Sequence, residues 1–235
     1  MSELEVGGIL IRVNRKAIKN LHLSVYPPDG RVHIACPQST TDETLRLYAV
    51  SKLGWIKRQQ KLLRGKVRQS ERNYVTGETH YLLGKAYRLK VVETQGKAII
   101  ERKGKTQLTM HVPTTTTREA RATLLKEYYR EELKPILENM IHDWSSRMQV
   151  HPTRWRVQSM KTKWGSCNAN TGSLLFNLEL AKKPKSCIEY IVVHELVHLK
   201  ERLHTDQFLA HMDRYLPMWR SRKEALNALP VGEMG

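Results

Sequence analysis

The sequence has few cysteines and no long apolar run, and each of these shortages excludes a class of protein. Its three cysteines, Cys36, Cys167 and Cys187, show no CxxC spacing, so neither a disulfide framework nor a cysteine zinc knuckle is predicted. No stretch approaches the roughly 18 apolar residues of a membrane-spanning helix. The N-terminal stretch carries Glu3 and Glu5 instead of the basic start of a signal peptide. We therefore expect a cytoplasmic protein without a membrane partner.

Acidic residues are scarce relative to basic ones, with 23 Asp and Glu against 40 Lys and Arg and a net charge of +17. The first 110 residues hold 21 of the basic and only 9 of the acidic residues. The densest basic stretch supplies four candidates for contact with a polyanion, namely Lys57, Arg58, Lys61 and Arg64. Non-specific nucleic-acid contact through this N-terminal half is one interpretation, and a solvated helix face that keeps the protein soluble is the other.

Strand and helix patterns predict an α+β protein of two domains. Residues 1–112 contain several short alternating strands, among them the hairpin YPPDGRVHIACP, and one basic helix. They predict a small, mostly antiparallel β-rich N-terminal domain. The stretch VPTTTTREA marks the boundary, and residues 113–235 predict a helical domain with a short antiparallel sheet.

The second predicted domain opens with a long helix from Arg118 to Met148, marked by an apolar stripe. Two strands are predicted in WRVQSM and SLLFNLELA, joined by a turn in KTKWGSCNANTG. A helix that starts near Cys187 follows and carries the stretch YIVVHELVHLKERLH. This stretch holds the residues from which function can be predicted.

Two histidines in this stretch have the spacing of metal ligands on a helix. His194 and His198 are one turn apart, which places them about 40° and about 6 Å from each other on one face. Glu195 is rotated by about 100° from His194, so it is better placed to touch a metal-bound water than to complete the ligand set. The HExxH pattern thus predicts two zinc ligands and one general base.

A catalytic zinc ion needs a third protein ligand, and His204 is the candidate. A continuous helix would rotate His204 by about 240° from His198, to nearly the opposite side, so the helix must end between them. Metzincins use this histidine spacing with a glycine where this chain has Glu201. Since Thr205 and Asp206 are good residues to start a new helix, we predict a helix that ends at His204 and restarts after it.

The same histidines could instead be satisfied core or interface residues. Burying a glutamate and two histidines together on an apolar helix costs several kcal/mol unless they are paired or hold a metal, which favours one bound Zn²⁺. His211 and Tyr215 are candidates to stabilise an oxyanion, although a surface or core position explains them too. Cys167 has no visible partner and is interpreted as a small buried cysteine instead of a nucleophile.

At this point the chain resembles the YgjP-like metallopeptidases, a zincin group related in motif to the SprT-like and WLM proteases. The resemblance covers nearly the whole sequence. It rests on YPPDGRVHIACP, YLLGKAYRLKV, MKTKWGSCNANTGSLLFNLEL, IEYIVVHELVHL, ERLHTDQF and LPMWRSRKEALN. A WGSC stretch together with HExxH and a downstream histidine is much more specific than HExxH alone.

The resemblance implies a zincin-like domain in which His194, His198 and His204 hold zinc and Glu195 activates water. It also implies that the strand SLLFNLEL lies beside the cleft as an edge that could hold an extended peptide. The predicted substrate contacts are Trp164, Gly165, Ser166, Phe176 and Asn177. Some similar proteins are encoded with type I restriction-modification systems, which is consistent with the basic N-terminal half.

The sequence leaves three functions open. The first is a zinc-dependent peptidase that acts on a peptide or protein substrate, with Glu195 as general base. The second is a nucleic-acid-associated accessory protein with a structural or regulatory zinc site, linked to a restriction-modification system. The third is a zinc-dependent hydrolase of a non-peptide amide. Sequence does not separate the first from the third.

Overall fold

A computed structural model of the protein describes residues 2–26, 29–65, 72–160 and 162–228. The strands are β1 (Ser2–Val6), β2 (Ile9–Lys16), β3 (His22–Tyr26), β4 (Arg31–Pro37), β5 (Thr79–Leu82), β6 (Lys85–Glu93), β7 (Ile99–Lys103), β8 (Gln107–Val112), β9 (Arg154–Gln158), β10 (Gly165–Asn168) and β11 (Ser173–Asn177). The α-helices are α1 (Asp42–Gly65), α2 (Arg118–Met148), α3 (Lys185–Val197), α4 (Asp206–Tyr215) and α5 (Trp219–Ala228). None of the helices in these ranges is long and apolar enough to cross a membrane.

The chain divides into two compact units, Met1–Arg68 and Gln69–Gly235, each with a hydrophobic core of its own. The boundary predicted from the sequence, between residues 112 and 113, lies inside the second unit. The physical reason is shared burial. Leu108 and Met110 of β8 are fully buried in the same core as Leu133 and Leu137 of α2, so the strands before residue 112 pack with the helix that follows it.

The first unit is a four-stranded sheet with one helix. The strand order is β1-β2-β4-β3, in which β1–β2 and β3–β4 are antiparallel hairpins and β2 runs parallel to β4. The predicted hairpin around Gly30 is confirmed, since the Gly30 N–H donates to the Tyr26 carbonyl at 2.9 Å and Gly30 has φ of +76°. Leu45, Ala49 and Ile56 of α1 are buried in the core that this sheet forms.

The second unit contains two sheets. The first has the order β5-β6-β8-β7, again with a parallel central pair, and the second has the order β10-β11-β9 with β9 parallel to β11. The predicted α+β class is confirmed, but each sheet is mixed and not purely antiparallel. The predicted turn KTKWGSCNANTG contains strand β10, and the predicted strand SLLFNLELA ends at Asn177, where a 3₁₀ helix (Leu178–Lys182) begins.

Helix α3 lies at the centre of the second unit and packs against α2, α4, α5 and β10. Most of its residues are buried, as expected for a helix that is apolar on all sides. Its orientation is also held by Glu189, which accepts from the Trp144 indole N–H at 3.1 Å and pairs with Arg222. Three helices are therefore tied together one turn before the HExxH residues.

Candidate metal centre and its cavity

The helix that carries the HExxH motif ends at the second histidine of the motif. The last residue of α3 is Val197, and His198 is the cap residue. The Val197 carbonyl accepts from the N–H groups of both Lys200 and Glu201, at 2.8 and 2.9 Å, which closes a tight turn. The predicted break between His198 and His204 is confirmed, but the helix ends at Val197 and not at His204.

The turn to His204 is made without a glycine because it needs no left-handed residue. None of residues 198–205, all of which the structure describes, has a positive φ. The Glu201 carboxylate accepts from the Leu203 N–H at 3.1 Å and so satisfies a backbone donor within the turn. The Thr205 hydroxyl then accepts from the Phe208 N–H, and α4 begins at Asp206, as predicted.

This turn brings the three histidines together. One nitrogen from each of His194, His198 and His204 lies within 4.8 Å of the others, and the Nε2 atoms of His194 and His204 are 3.1 Å apart. Ligand nitrogens at the usual zinc distance in a tetrahedral site are about 3.3 Å apart. The donor set and its spacing therefore fit a divalent transition metal such as zinc.

Neighbouring groups fix the orientation of the imidazoles. His198 Nδ1 lies 3.1 Å from the Glu201 carbonyl, to which its N–H can donate, and this tautomer leaves Nε2 free for a metal. The Phe208 ring contacts all three histidine rings, with centroid distances of 4.6 to 5.0 Å. A buried aromatic at the start of α4 thus supports the cluster from one side.

The environment favours the neutral, metal-binding form of His194 and His198. Burial, followed by the charges of His198 and His204, lowers the pKa of His194 to about 3. Burial also lowers the pKa of His198. A neutral imidazole has the free lone pair that coordination requires.

Glu195 is held in a small space between α3 and β10. It is 4% exposed, and burial raises its pKa to about 8. The Lys163 ammonium has the opposite, smaller effect and lowers this pKa. A side chain at Gly165 would place its Cβ 2.7 Å from Cγ and 2.8 Å from Cδ of Glu195, closer than real atoms approach. Only glycine at position 165 therefore leaves room for the Glu195 carboxyl in this position, which gives the WGSC stretch a physical meaning.

A cavity of about 490 Å³ opens beside these residues, and it is lined by all three histidines, Glu195 and the whole of β10. Trp164, Gly165 and Ser166, which were predicted to contact substrate, lie in its wall. Tyr190, Arg202, Lys223 and Asn227 also line it, although the sequence analysis singled out none of them. They come from α3, from the turn before His204 and from α5, and no pattern near the HExxH residues points to the last of these elements.

Two of the predicted substrate contacts are not in the cavity wall. Phe176 is fully buried in the core of the second unit. Asn177 is buried too, and its side-chain amide donates to the carbonyls of Met160 and Lys163 at 2.9 and 2.7 Å, so it holds the segment that leads into β10. The implied edge position also differs, because β11 is the central strand of its sheet and β10 is the edge strand beside the cavity.

The other predicted residues take different positions. His211 and Tyr215 of α4 stack on each other with centroids 6.0 Å apart, and neither lines the cavity. Cys167 does line it, but burial, together with the Glu195 carboxylate, raises the pKa of Cys167 to about 11 and keeps it a thiol. In the first unit, Lys57 and Lys61 line a surface cleft, Arg58 is exposed, and the Arg64 side chain lies outside the described residues.

A helix that carries HExxH, followed by a turn that returns a third histidine, is the site architecture of zinc-dependent hydrolases. The model of the YgjP-like metallopeptidase domain family matches residues 19–229, and the chain belongs to this family. No curated protein sequence matches the chain.

Two solved structures resemble part of the chain. The metallopeptidase zymogen abylysin of Pyrococcus abyssi is 16% identical, with 38% of this chain and 90% of that chain covered and a TM-score of 0.36. The metallopeptidase zymogen jannalysin of Methanocaldococcus jannaschii is 18% identical, with coverages of 38% and 86% and a TM-score of 0.35.

Proposed function

We propose that the protein is a zinc-dependent peptidase in which His194, His198 and His204 hold one zinc ion and Glu195 is the general base. The observation that supports this most directly is the convergence of three imidazoles beside a buried glutamate in one cavity. When bound, zinc would polarise a carbonyl and lower the pKa of a coordinated water to near 7. Membership of a metallopeptidase family supports peptides as the substrate class.

In this proposal Glu195 moves the proton. Its carboxylate accepts a proton from the attacking water and returns it to the leaving amine, so one residue acts as base and then as acid. The close packing of Gly165 against Glu195 limits where the carboxyl can lie on the side of β10, because the space beside it is available only when position 165 has no side chain. The histidines would have no part in this proton transfer, because each would give one nitrogen to the metal, and the other nitrogen of His198 lies against the Glu201 carbonyl.

An extended peptide would bind along β10. This strand pairs with β11 on one side only, so within the described part of the chain its outer edge has free backbone donors and acceptors facing the cavity region. A peptide that adds to the edge would receive main-chain hydrogen bonds regardless of its sequence. Its scissile carbonyl would then lie close to Glu195, which touches the first residue of the strand.

The test is Glu195→Gln, which keeps the shape of the side chain and removes the base. We expect one zinc ion per chain by elemental analysis and a loss of about 10²- to 10⁴-fold in kcat/KM on a peptide pool. Glu138→Gln on the exposed face of α2 is the matched control and should retain full activity. Loss of zinc in Glu195→Gln, or full activity in that variant, contradicts the proposed role.

A second candidate function is supported by the cleft in the first unit. This cleft has a volume of about 670 Å³ and is lined by Lys57 and Lys61 of α1, by Arg31, and by the β1–β2 turn. Arg31 is paired with Asp29, which leaves the two lysines as the cations that could meet a polyanion. If this surface binds nucleic acid, binding should weaken steeply with salt and drop in Lys57→Gln/Lys61→Gln. Binding that ignores salt and these substitutions, or its complete absence, dismisses this candidate.

A further inference from the structure

Three cations surround the cavity of the proposed active site. Lys163 lies just before β10, Arg202 lies in the turn before His204, and Lys223 lies on α5. All three are exposed at the cavity wall, so a substrate can reach them. All three line the same cavity, so their positive charges act together on what it holds.

These cations are not neutralised by the protein. None of the acidic side chains in the described ranges forms an ion pair with Lys163, Arg202 or Lys223, although other surface cations such as Arg220 and Arg130 do have carboxylate partners. The only acidic residue among the described residues that line the cavity is Glu195, which is buried against Gly165. Lys223 instead rests near the Trp219 ring, at 5.7 Å from its centroid, which leaves its charge available.

The charges also lie in the same cavity wall as the reacting groups. Lys163 precedes Gly165, which packs against Glu195, by two residues, and Lys223 lines the cavity together with His194. A cavity that carries one sign of charge concentrates ligands of the opposite sign and speeds their arrival. A substrate carboxylate in this cavity would therefore meet unpaired ammonium and guanidinium groups near the bond to be cut.

We propose that this cavity selects peptides that carry a carboxylate next to the scissile bond, recognised by Lys163, Arg202 and Lys223. The proposal rests on the peptidase function proposed above and adds a substrate class to it. The carboxylate has two sources, an acidic side chain or the free C-terminus of a peptide. The first source would make the enzyme an endopeptidase with an acidic preference, and the second would make it act at chain ends.

The experiment uses three labelled peptides of Ala, Leu and Gln residues. One has a central Glu and an amidated C-terminus, the second has Gln in place of that Glu and is also amidated, and the third is the Gln peptide with a free C-terminus. Binding to the zinc-loaded Glu195→Gln chain is measured by fluorescence anisotropy, and kcat/KM is measured with the natural chain. We expect a preference of roughly 5-fold or more for a carboxylate-bearing peptide, which falls at high salt. The Glu and free-terminus peptides distinguish the two sources.

The decisive variant is Lys163→Gln/Arg202→Gln/Lys223→Gln, made also in the Glu195→Gln background. Its matched control is Lys90→Gln/Lys126→Gln/Lys185→Gln, which removes the same charge from exposed positions of the second unit that do not line the cavity. The preference should vanish in the first triple variant and persist in the control. A carboxylate that binds the metal itself would keep its preference in both, and that result overturns the proposal.

The two proposals fail in different ways. Carboxylate-selective binding that depends on the three cations, without hydrolysis of any peptide, supports the charge selection and contradicts the peptidase function. Hydrolysis with equal kcat/KM and equal affinity for all three peptides contradicts the charge selection and leaves the peptidase function standing. Failure of both measurements overturns both proposals.

Discussion

Residues 2–65 and 79–148 fold with the same order of elements, and we call them the first and second modules. Each has two antiparallel hairpins whose inner strands run parallel, followed by a helix. Each first hairpin has a two-residue turn with positive φ at both positions, Gly7 and Gly8 in one and Leu83 and Gly84 in the other. The modules differ in their helices, because α1 is a polar helix with few buried residues whereas α2 has a long buried stripe in the core around α3.

The comparison shows that one arrangement of strands and helix has a different packing role in each module. In the first module the helix covers its own sheet and completes a compact unit. In the second module Leu133 and Leu137 of the helix share a core with α3, so the module supports the candidate metal centre. The apolar stripe of α2 extends beyond the sheet of the second module and connects this module to the candidate metal centre.

Substitutions in the two-residue turns of the first hairpins test this comparison. The substitution at Gly84 has the largest expected effect. The Leu83 and Gly84 N–H groups donate to the carbonyls of Ala181 and Lys182, just before α3, at 2.7 and 3.2 Å. In Gly84→Ala the new Cβ would lie 2.8 Å from Pro184 Cγ and 3.1 Å from Pro184 Cα, and φ is +81°. We expect a loss of about 2 to 4 kcal/mol in the free energy of unfolding, with reduced activity, because the start of α3 must shift.

Gly8→Ala is the control for that substitution. Gly8 has φ of +74°, but no atom lies within 4 Å of the added Cβ. We expect a loss of about 1 kcal/mol from backbone strain alone and no change in activity. Both variants are followed by urea unfolding and by hydrolysis of the same peptide. If Gly84→Ala and Gly8→Ala lose the same free energy of unfolding, the contacts of the β5–β6 turn with the residues before α3 do not stabilise the fold.

The N-terminal caps of α1 and α2 test whether the two modules begin their helices in the same way. Their substitution has the smallest expected effect. The Thr41 hydroxyl accepts from the Thr44 N–H at 3.3 Å, and the Thr117 hydroxyl accepts from the Ala120 N–H at 3.2 Å. Thr41→Ala and Thr117→Ala should each cost about 1 kcal/mol, since each removes one capping hydrogen bond. Hydrogen exchange of the amides in the first turns of α1 and α2 measures both effects. Thr41→Ser and Thr117→Ser should restore the protection of these amides. If only one of the two Thr→Ala variants loses stability, the two capping hydrogen bonds contribute unequally although their geometries are alike.

Sequence spacing was sufficient for the part of the site that lies on one continuous stretch. The interval between His194 and His198 predicts one face of a helix, and the interval to His204 requires that the helix end. Thr205 correctly predicts where the next helix starts. These inferences work because each depends only on local backbone geometry.

Spacing failed where long-range packing decides the outcome. β10 was predicted as part of a turn, since its glycine and asparagine favour turns, yet pairing with β11 makes it a strand. Phe176 was predicted to contact substrate, but it belongs to the buried face of β11 and its side chain lies in the core. Lys223 has no local signal, because only the fold brings α5 to the cavity. The predicted boundary at residue 112 falls within the second compact unit for a related reason, since β8 and α2 share one core.

The contact between Gly165 and Glu195 has a consequence for how such chains should be compared. The two residues share one volume, so the residue type at one position limits what the other can be. A chain that keeps the histidines and the glutamate but carries any side chain at the position of Gly165 would still match the helix motif while its glutamate is displaced. For the role proposed for Glu195, the glycine and the glutamate together are therefore a stricter criterion than the helix motif alone.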